Sequence, residues 1–520
     1  MGSLSVSRLL RMNGLAFMKC NEGVRLFLAS CILSLLLRAP HFQHPFTFID
    51  EAWWAVGARE LLQGAHLYED VWLDKQPPIF WLCALLFRVL GARMEAIHLG
   101  SLLLVFLVCF LLYSIGRRFF SAAVGGTAAV LYALASTTFY TPRIIGMNTE
   151  TLMVVFASAA VLFALEGLVA NKPGACFLAG ALAAGATITK PVAATELVLL
   201  FGLFLFARRP ASIRWSSLGL FAGGALLGVA ALLAYLVEHG TLRLWWEQSI
   251  AYGFSYLTQV DGRTYLGKLV IAPASFALIY AWLWLLIWKG GAGAAEKTAY
   301  RVVGSWLVSA FVGVALGRRF YANYFIQMLP PMALLGAVGA VRLWKGRHVP
   351  AERRTAKIVS TAFLVSFVWF HARTLAHVYF LFSPEAHDGV QVWGMCRENR
   401  KVVEVARHLE SRTDPGDRIF VWGSKSELYF LSKRAMATAF MDFDVGADVP
   451  RNAAEKSTCR ATAERLRGAP PRYVVDVQRT ARIENFPGFS ELLERHYYLE
   501  AEFEEVKLYR LRDEHAPPPI

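Results

Sequence analysis

The chain has 520 residues, of which 56% are hydrophobic and only 18% are Asp, Glu, Lys or Arg. In soluble domains about a quarter of all residues are charged, so this composition excludes an ordinary soluble protein. The mean hydropathy of +0.42 excludes it as well. The formal net charge of +14 falls largely in short loops between apolar blocks, which is the positive-inside pattern. This distribution favours an anionic lipid surface or a phosphorylated lipid as partner, and no part of the chain resembles a nucleic-acid-binding module.

Twelve apolar blocks follow one another along the chain. About 20 apolar residues cross ~30 Å of hydrocarbon, and inside lipid such a block must be helical to satisfy its own backbone. No cleavage site follows the basic N-terminal residues, so we expect an uncleaved first helix with a cytoplasmic N-terminus. The blocks cover about residues 24–38, 77–91, 95–116, 119–139, 150–170, 173–189, 192–207, 215–237, 265–288, 302–317, 321–343 and 358–381.

The block at 77–91 decides the topology. It is short, begins with two prolines and contains Arg88. If it does not cross, the basic loops around 117–118, 172, 208–214, 289–301 and 342–357 all lie in the cytoplasm, whereas a crossing would move every one of them outside. We therefore expect about eleven transmembrane helices, with 77–91 as a re-entrant or interfacial helix.

The character of the chain changes after the membrane domain, which we place at 1–384. In the remainder, 385–520, charged amphipathic stretches alternate with short β-rich runs such as 418–422 and 472–476. This pattern predicts a small soluble α/β domain, and the topology places it outside the membrane.

Three segments lie on the outer face in this topology, at about 40–94, 140–149 and 239–263. The third is dense in Trp, Tyr and Phe. Such density is typical either of a helix lying in the membrane interface or of an aromatic belt alone.

Charged residues of the first outer loop are candidates for function, because a charge at membrane depth costs ~2.5–3.5 kcal/mol. Asp50 and Glu51 precede a helical pattern, and Asp74 and Lys75 directly precede a Pro-Pro helix start. The alternatives are N-terminal helix capping for the first pair and a surface ion pair of ~0–1 kcal/mol for the second.

The second outer loop contains Arg143, Asn148, Thr149 and Glu150. Asn148 or Thr149 can cap the following helix, and Glu150 can face the amides of its first turn. Considered alone, capping is the simpler interpretation of this loop.

Three cations break the positive-inside pattern, because Lys190, Arg318 and Arg319 fall on the outer side. A cavity for a lipid phosphate needs such cations, since phosphate binds charge-assisted donors where water is scarce. The alternative for the two arginines is snorkelling towards the interface.

The order of these motifs resembles that of the GT-C glycosyltransferases, in particular the branch of the protein O-mannosyltransferases and the lipid A aminoarabinose transferase. In that branch an Asp or Asp-Glu pair opens the first outer loop and an acidic-Lys-Pro-Pro stretch closes it, as Asp50-Glu51 and 74–78 do here. The loop at 142–150 looks like the second acidic loop of the superfamily. The run at 317–325 is similar to bacterial members, in which a His often stands near the position of Asn323.

The resemblance, which covers about residues 24–345, implies a GT-C fold and a polyprenyl-phosphate or diphosphate sugar donor. It implies attack that inverts the anomeric carbon, with Asp50 as the base and Glu51 orienting it or binding an acceptor. It further implies donor-phosphate ligands at Lys75, Arg143, Lys190, Arg318 and Arg319, with supporting residues at Asp74, Asn148, Glu150 and Tyr321. Some members hold a divalent metal ion at acidic residues, which leaves open a metal at Asp50, Asp74 and Glu150, although the sequence shows no three-ligand motif.

The expected function is sugar transfer to a lipid, polysaccharide or protein acceptor at the outer face of a bacterial-type inner (plasma) membrane. One rival is a multi-pass transporter or flippase. Two observations argue against it, because the two halves of the sequence show no internal repeat and the charges gather at one face. Another is a non-catalytic envelope assembly protein that binds its partners through 385–520.

Overall fold

The computed structural model of the chain describes residues 22–43, 46, 50–138, 145–207, 210–369, 395–442, 453–478 and 482–512. Helices dominate the described part of the membrane domain. They are α1 (22–38), α2 (Asp50–Leu62), α3 (Pro78–Leu90), α4 (Met94–Phe119), α5 (Ala122–Ala135), α6 (Thr149–Val169), α7 (Pro173–Thr189), α8 (Ala194–Leu205), α9 (Ala211–Glu238), α10 (Leu242–Trp245), α11 (Tyr252–Thr258), α12 (Gly262–Ile279), α13 (Ala281–Lys289), α14 (Lys297–Leu316), α15 (Leu329–Lys345) and α16 (Pro350–Phe367).

The all-α polytopic fold class predicted from the sequence is confirmed. Among the described residues, five helical stretches are long and apolar enough to cross a membrane: α4, α6, α9, α14 and Ala322–Lys345. The bent pair α12 and α13, at 76° to each other, makes a sixth, and α5, α7 and Pro191–Leu205 are shorter apolar helices. Each of the eleven blocks predicted to span overlaps one of these helices, α1 or α16, and residues 370–381 of the last block lie outside the described residues.

Helix α3 corresponds to the block at 77–91. Its 13 residues extend only ~20 Å at 1.5 Å per residue, which is short of a ~30 Å hydrocarbon layer. Phe80 packs edge-on against Trp54 of α2, and Phe87 stacks on Phe430 of the C-terminal domain with ring centroids 5.5 Å apart. A helix this short, packed against a soluble domain, supports the prediction that it does not cross.

The charges at the two ends of α6 separate the two faces of the bundle. Near its C-terminus, Glu166 pairs with Arg118 and with Lys172, whose Nζ lies 3.3 Å away. Both cations belong to loops predicted on the cytoplasmic side. Near its N-terminus, Glu150 meets Lys190, which was predicted on the outer side. The predicted sidedness is thus consistent within the fold, and the assignment of each end to a compartment stays a prediction.

Glycines allow α7 and α9 to cross closely. A Cβ atom on Gly180 would lie 1.9 Å from the carbonyl oxygen of Phe221, and one on Gly224 would lie 2.0 Å from that of Phe177. Small residues at such a crossing let the backbones of membrane helices approach each other.

The C-terminal part contains the predicted α/β domain. Its elements are α17 (Met395–Arg412), β1 (Arg418–Trp422), α18 (Glu427–Leu431), β2 (Ala435–Met436), α19 (Ala453–Gly468), β3 (Tyr473–Asp476), α20 (Pro487–His496), β4 (Tyr497–Phe503) and β5 (Val506–Leu511). The sheet order is β2-β1-β3-β5-β4, with β1 parallel to β2 and β3, and β5 antiparallel to β3 and β4. Strands lie at both runs that the sequence analysis singled out.

The C-terminal domain packs directly on the first outer loop. The guanidinium of Arg59 on α2 donates to the carbonyl oxygens of Tyr429 and Arg434, each at 2.8 Å. The amide of Trp72 donates to the carbonyl oxygen of Ala439 at 2.8 Å. The domain therefore covers the loop that carries the first candidate residues.

Candidate active site

Helix α2 presents two different faces because successive side chains turn by about 100°. Trp53, one turn after Asp50, lies with its ring 5.6 Å from the Nζ of Lys75. Lys75 also pairs with the neighbouring Asp74. The first outer loop therefore folds back so that Asp74 and Lys75 meet the Asp50–Trp53 face of the helix.

The charge of Lys75 is well supported. Burial lowers the pKa of its ammonium, but the nearby carboxylates of Asp74 and Asp50 outweigh burial and raise the pKa above its ordinary value. Lys75 is therefore a fixed cation at neutral pH, as a ligand for phosphate requires.

Glu51 lies on the other face of α2 and is fully buried. One carboxylate oxygen accepts from the amide of Met147 at 2.8 Å, and the other lies 3.6 Å from Nε2 of His98 on α4. Trp54 donates to the carbonyl oxygen of the same Met147 at 2.9 Å. Glu51 therefore fastens the first outer loop to the second, and its carboxylate points away from Lys75.

A second charged cluster forms where α6 begins. Glu150 is buried, and its Oε1 accepts from the ammonium of Lys190 and, at 2.6 Å, from the amide of Asn323. Its Oε2 accepts from the hydroxyl of Thr149 at 3.0 Å. The Nζ of Lys190 also lies 4.3 Å from the ring centroid of Tyr324. Three chain segments thus converge on one carboxylate.

Capping at the second loop was wrong for two side chains. Asn148 occupies the N-cap position of α6, but its side chain caps no helix amide and instead donates to the carbonyl oxygen of Gly146 at 2.8 Å. Glu150 faces Lys190 and Asn323 rather than the first-turn amides, because an ammonium is the stronger partner for a buried carboxylate. Arg143 lies outside the described residues.

The third outer segment is helical and joins the first loop. It consists of α10, a π-helical stretch over Trp246–Ala251, and α11. Gln248 accepts from the amide of Leu73 at 3.0 Å and donates to the carbonyl oxygen of Tyr68 at 2.7 Å. The Nε1 of Trp245 donates to the side chain of Gln76 at 2.9 Å. The aromatic segment therefore does more than form a belt, because it binds the backbone before Asp74 and the side chain that follows Lys75.

A cavity of about 330 Å³ connects the two clusters. Polar lining includes Asp74, Lys75, Thr149 and Lys190. The other walls are mostly apolar, with Ile250, Tyr252, Phe254, Tyr256 and Leu257 from the third segment and Pro191, Val192 and Tyr324 from the membrane helices. A mostly apolar cleft that is lined by two lysines suits an amphiphile with an anionic head.

Arg318 and Arg319 both contact the third outer segment. Arg318 donates to the carbonyl oxygen of Val260 at 2.9 Å. Arg319 donates to the carbonyl oxygen of Tyr256 at 3.1 Å and lies over its ring at 3.9 Å. Arg318 has a φ of 54°, which is a strained conformation for a residue other than Gly. The structure thus gives both arginines a tethering contact and does not place them in the cavity lining.

Tyr321 joins the same group, because its hydroxyl lies 3.5 Å from that of Tyr256. Burial, followed by the hydrogen bond to Tyr321, raises the pKa of Tyr256 to about 12. The hydroxyl of Tyr256 therefore stays protonated and can donate a hydrogen bond into the cavity it lines.

The acidic residues do not form a metal site. Among the described residues, no three His, Cys, Asp or Glu side chains are grouped so that they could hold one ion. Glu150 is engaged by Lys190 and Asn323, while Asp74 pairs with Lys75. The residues present do not fit the metal that was left open at Asp50, Asp74 and Glu150.

A family model described as dolichyl-phosphate-mannose-protein mannosyltransferase matches residues 74–227, a stretch that begins at Asp74 and includes Lys75, Glu150 and Lys190. Among solved structures, ArnT from Cupriavidus metallidurans bound to undecaprenyl phosphate is similar with a TM-score of 0.63 at 16% identity, over 95% of this chain and 99% of that one. The chain has the GT-C fold. The predicted resemblance to the GT-C glycosyltransferases is thereby confirmed.

Two other solved structures agree. The apo state of the same ArnT gives a TM-score of 0.60 at 17% identity, over 95% of this chain and 99% of that one. The arabinofuranosyltransferase AftD from Mycobacteria gives 0.51 at 14% identity, over 94% of this chain and 42% of AftD. No curated protein sequence matches the chain. At these identities the structural likeness establishes the fold and leaves the substrates of this GT-C protein open.

Several residues of the site were not assigned a role from the sequence. Asn323 stood out only as a departure from the family pattern, and its side-chain amide donates a hydrogen bond to the Glu150 carboxylate. Gln248, Trp53 and Tyr256 had a single signal, which is the unusual aromatic and polar density of two segments predicted at the membrane surface. Their partners are distant in sequence, so no spacing rule could reveal them.

Proposed function

We propose that this GT-C protein is a membrane glycosyltransferase that transfers a sugar from a polyprenyl-phosphate donor to an acceptor at the outer face of a bacterial-type inner membrane. The observation that carries the proposal is the cavity that is lined by Lys75 and Lys190 and otherwise has mostly apolar walls. ArnT, the structural relative with the same fold, binds undecaprenyl phosphate.

The polar and the apolar lining residues of the cavity bind different parts of the donor. The ammonium groups of Lys75 and Lys190 bind the donor phosphate by charge-assisted hydrogen bonds, and the hydroxyl of Tyr256 adds a neutral donor. The apolar walls formed by Ile250, Phe254 and other side chains of the cavity receive the first isoprene units. As the glycosidic bond breaks, both lysines stabilise the negative charge that develops on the leaving phosphate.

Asp50 acts as the general base of the transfer. Its carboxylate takes the proton of the acceptor hydroxyl while the acceptor oxygen forms a bond to the anomeric carbon. The bond from that carbon to the phosphate oxygen breaks, its electron pair leaves with polyprenyl phosphate, and the configuration inverts. Glu51, which is buried and bonded to Met147, orients the loop rather than the acceptor.

The direct test is donor turnover. We would incubate the purified protein in lipid with a panel of polyprenyl-phosphate sugars and measure release of polyprenyl phosphate. Wild-type protein should turn over one donor, whereas Asp50→Asn and Lys75→Ala should lose at least about 100-fold, as expected for a base and an electrostatic ligand. Lys433→Ala is the matched control, because Lys433 pairs only with Glu410 at an exposed surface.

Two outcomes would contradict the proposal. Near-normal turnover by Asp50→Asn would reject the base, and the absence of turnover with every donor and acceptor tried would reject the enzyme. In the second case, uptake of a radiolabelled lipid-linked sugar into vesicles would favour the transporter alternative.

A further inference from the structure

Trp53 contacts both Lys75 of the candidate active site and the C-terminal domain. Its ring lies 5.6 Å from the Nζ of Lys75. Its Nε1 donates a hydrogen bond of 2.8 Å to Oδ2 of Asp442, which lies beyond β2 in the C-terminal domain. One side chain therefore joins Lys75, the proposed ligand of the donor phosphate, to a domain whose described residues do not line the cavity.

Asp442 is itself fixed within the C-terminal domain. Its Oδ2 also accepts from the hydroxyl of Ser424 at 2.8 Å, in the loop that follows β1. The stretch of chain that carries Asp442 also contacts the first outer loop at a second point. Phe440 packs there against Trp72, with 6.2 Å between ring centroids. The carboxylate is thus held from one side by its own domain and presents its oxygen to the indole.

We propose that Asp442 is a positioning residue for Lys75, acting through Trp53, so that the docked C-terminal domain sets the affinity for the donor phosphate. This inference rests on the proposed role of Lys75. A hydrogen bond to a carboxylate is strong enough to select one orientation of an indole ring, and an ammonium is attracted to the face of that ring. Without the bond the ring is free to turn, and Lys75 loses the contact with its face but keeps the nearby carboxylates of Asp74 and Asp50.

A simpler role for Asp442 is to help dock the domain, and variants can separate the two. Trp53→Phe keeps an aromatic ring beneath Lys75 but removes the N–H donor, while Asp442→Ala removes the acceptor. Asp442→Asn retains a side-chain oxygen for the indole. Arg59→Ala is the docking control, because it removes two bonds to the C-terminal domain that do not involve Trp53.

The experiment measures donor kinetics of the full chain in lipid, together with thermal unfolding. We expect Asp442→Ala and Trp53→Phe each to raise the KM for the polyprenyl-phosphate sugar about tenfold, as the loss of one charge-assisted contact implies, with kcat within about twofold. The double variant should be no worse than either single one, and Asp442→Asn should recover most of the loss. Arg59→Ala should lower the unfolding temperature without raising KM.

A second measurement does not depend on turnover. Labelling of Lys75 by an amine-selective reagent, followed by mass spectrometry, should be faster in Asp442→Ala and Trp53→Phe than in wild type and unchanged in Arg59→Ala. Equal labelling and equal KM in Asp442→Ala and wild type would overturn the inference, as would a rise in KM for Arg59→Ala equal to that for Asp442→Ala. If wild type turns over no donor, the proposed function fails, and the labelling rates still decide whether Asp442 positions Lys75.

Discussion

The buried carboxylate of Glu150 and the ammonium of Lys190 form an ion pair between the N-terminal end of α6 and the C-terminal end of α7. Asn323, from the short helix before α15, donates to the same carboxylate oxygen at 2.6 Å. Because the carboxylate is buried, these two partners replace the hydrogen bonds that water would otherwise donate to it. The pair therefore serves both the fold and the cavity, where only Lys190 is presented to a ligand.

The first prediction separates these two roles of Lys190. Lys190→Met should destabilise the protein by about 3–5 kcal/mol, because it leaves a buried carboxylate without its cation. The double variant Glu150→Gln, Lys190→Met should recover most of the stability but bind polyprenyl phosphate as weakly as Lys190→Met. Denaturant unfolding in detergent and a binding titration check the two parts. Full recovery of binding in the double variant would remove Lys190 from the set of phosphate ligands.

The second prediction concerns the pH dependence of activity. The carboxylates of Asp74 and Asp50 hold the pKa of Lys75 above its ordinary value, so wild-type activity should not fall through Lys75 up to about pH 10. Asp74→Asn removes one of these carboxylates, so the pKa of Lys75 should fall and the loss of activity at alkaline pH should begin at a lower pH.

The pH–rate profile of kcat/KM checks this shift. Asp70→Asn is the matched control, because Asp70 is an exposed carboxylate of the same loop that accepts from the amide of His66. An alkaline limb at the same pH in Asp74→Asn and wild type would contradict the assignment.

The sequence was sufficient to predict the all-α polytopic fold, because hydropathy blocks and loop charges act over single segments. The same holds for the C-terminal strands and for α3 as a short helix. The site required contacts between distant segments: Glu150 with Lys190 and Asn323, or Trp53 with Asp442. Local capping rules favoured a helix-bound Glu150, whereas tertiary packing supplied a stronger cationic partner.

The third prediction tests the contribution of the third outer segment. Gln248→Ala removes two hydrogen bonds to the backbone, at the amide of Leu73 and the carbonyl oxygen of Tyr68. Leaving these groups without a side-chain partner should lower the stability of the protein by ~1–3 kcal/mol. Since this backbone carries Asp74 and Lys75, we expect the KM for the donor to rise about tenfold with a smaller change in kcat.

Kinetics of Gln248→Ala and of Arg243→Ala in the same helical segment provide the comparison. Arg243 forms an exposed pair with Glu247, and such pairs contribute little, so this variant should behave as wild type. A Gln248→Ala enzyme with unchanged KM would mean that the segment shields the cavity without positioning the lysines.

The last prediction uses two adjacent glycines of α9. A Cβ at Gly224 would lie 2.0 Å from the carbonyl oxygen of Phe177, whereas one at Gly223 would meet no atom within 4 Å. Gly224→Ala should therefore force α7 and α9 apart and lower stability by roughly 1–3 kcal/mol, as overpacking does, while Gly223→Ala should be neutral or stabilising by up to ~1 kcal/mol through helix propensity. Thermal unfolding of both variants in detergent checks the difference, and equal unfolding temperatures would show that this crossing tolerates a wider separation. Because α7 ends next to Lys190, donor affinity should also fall in Gly224→Ala and remain at the wild-type value in Gly223→Ala.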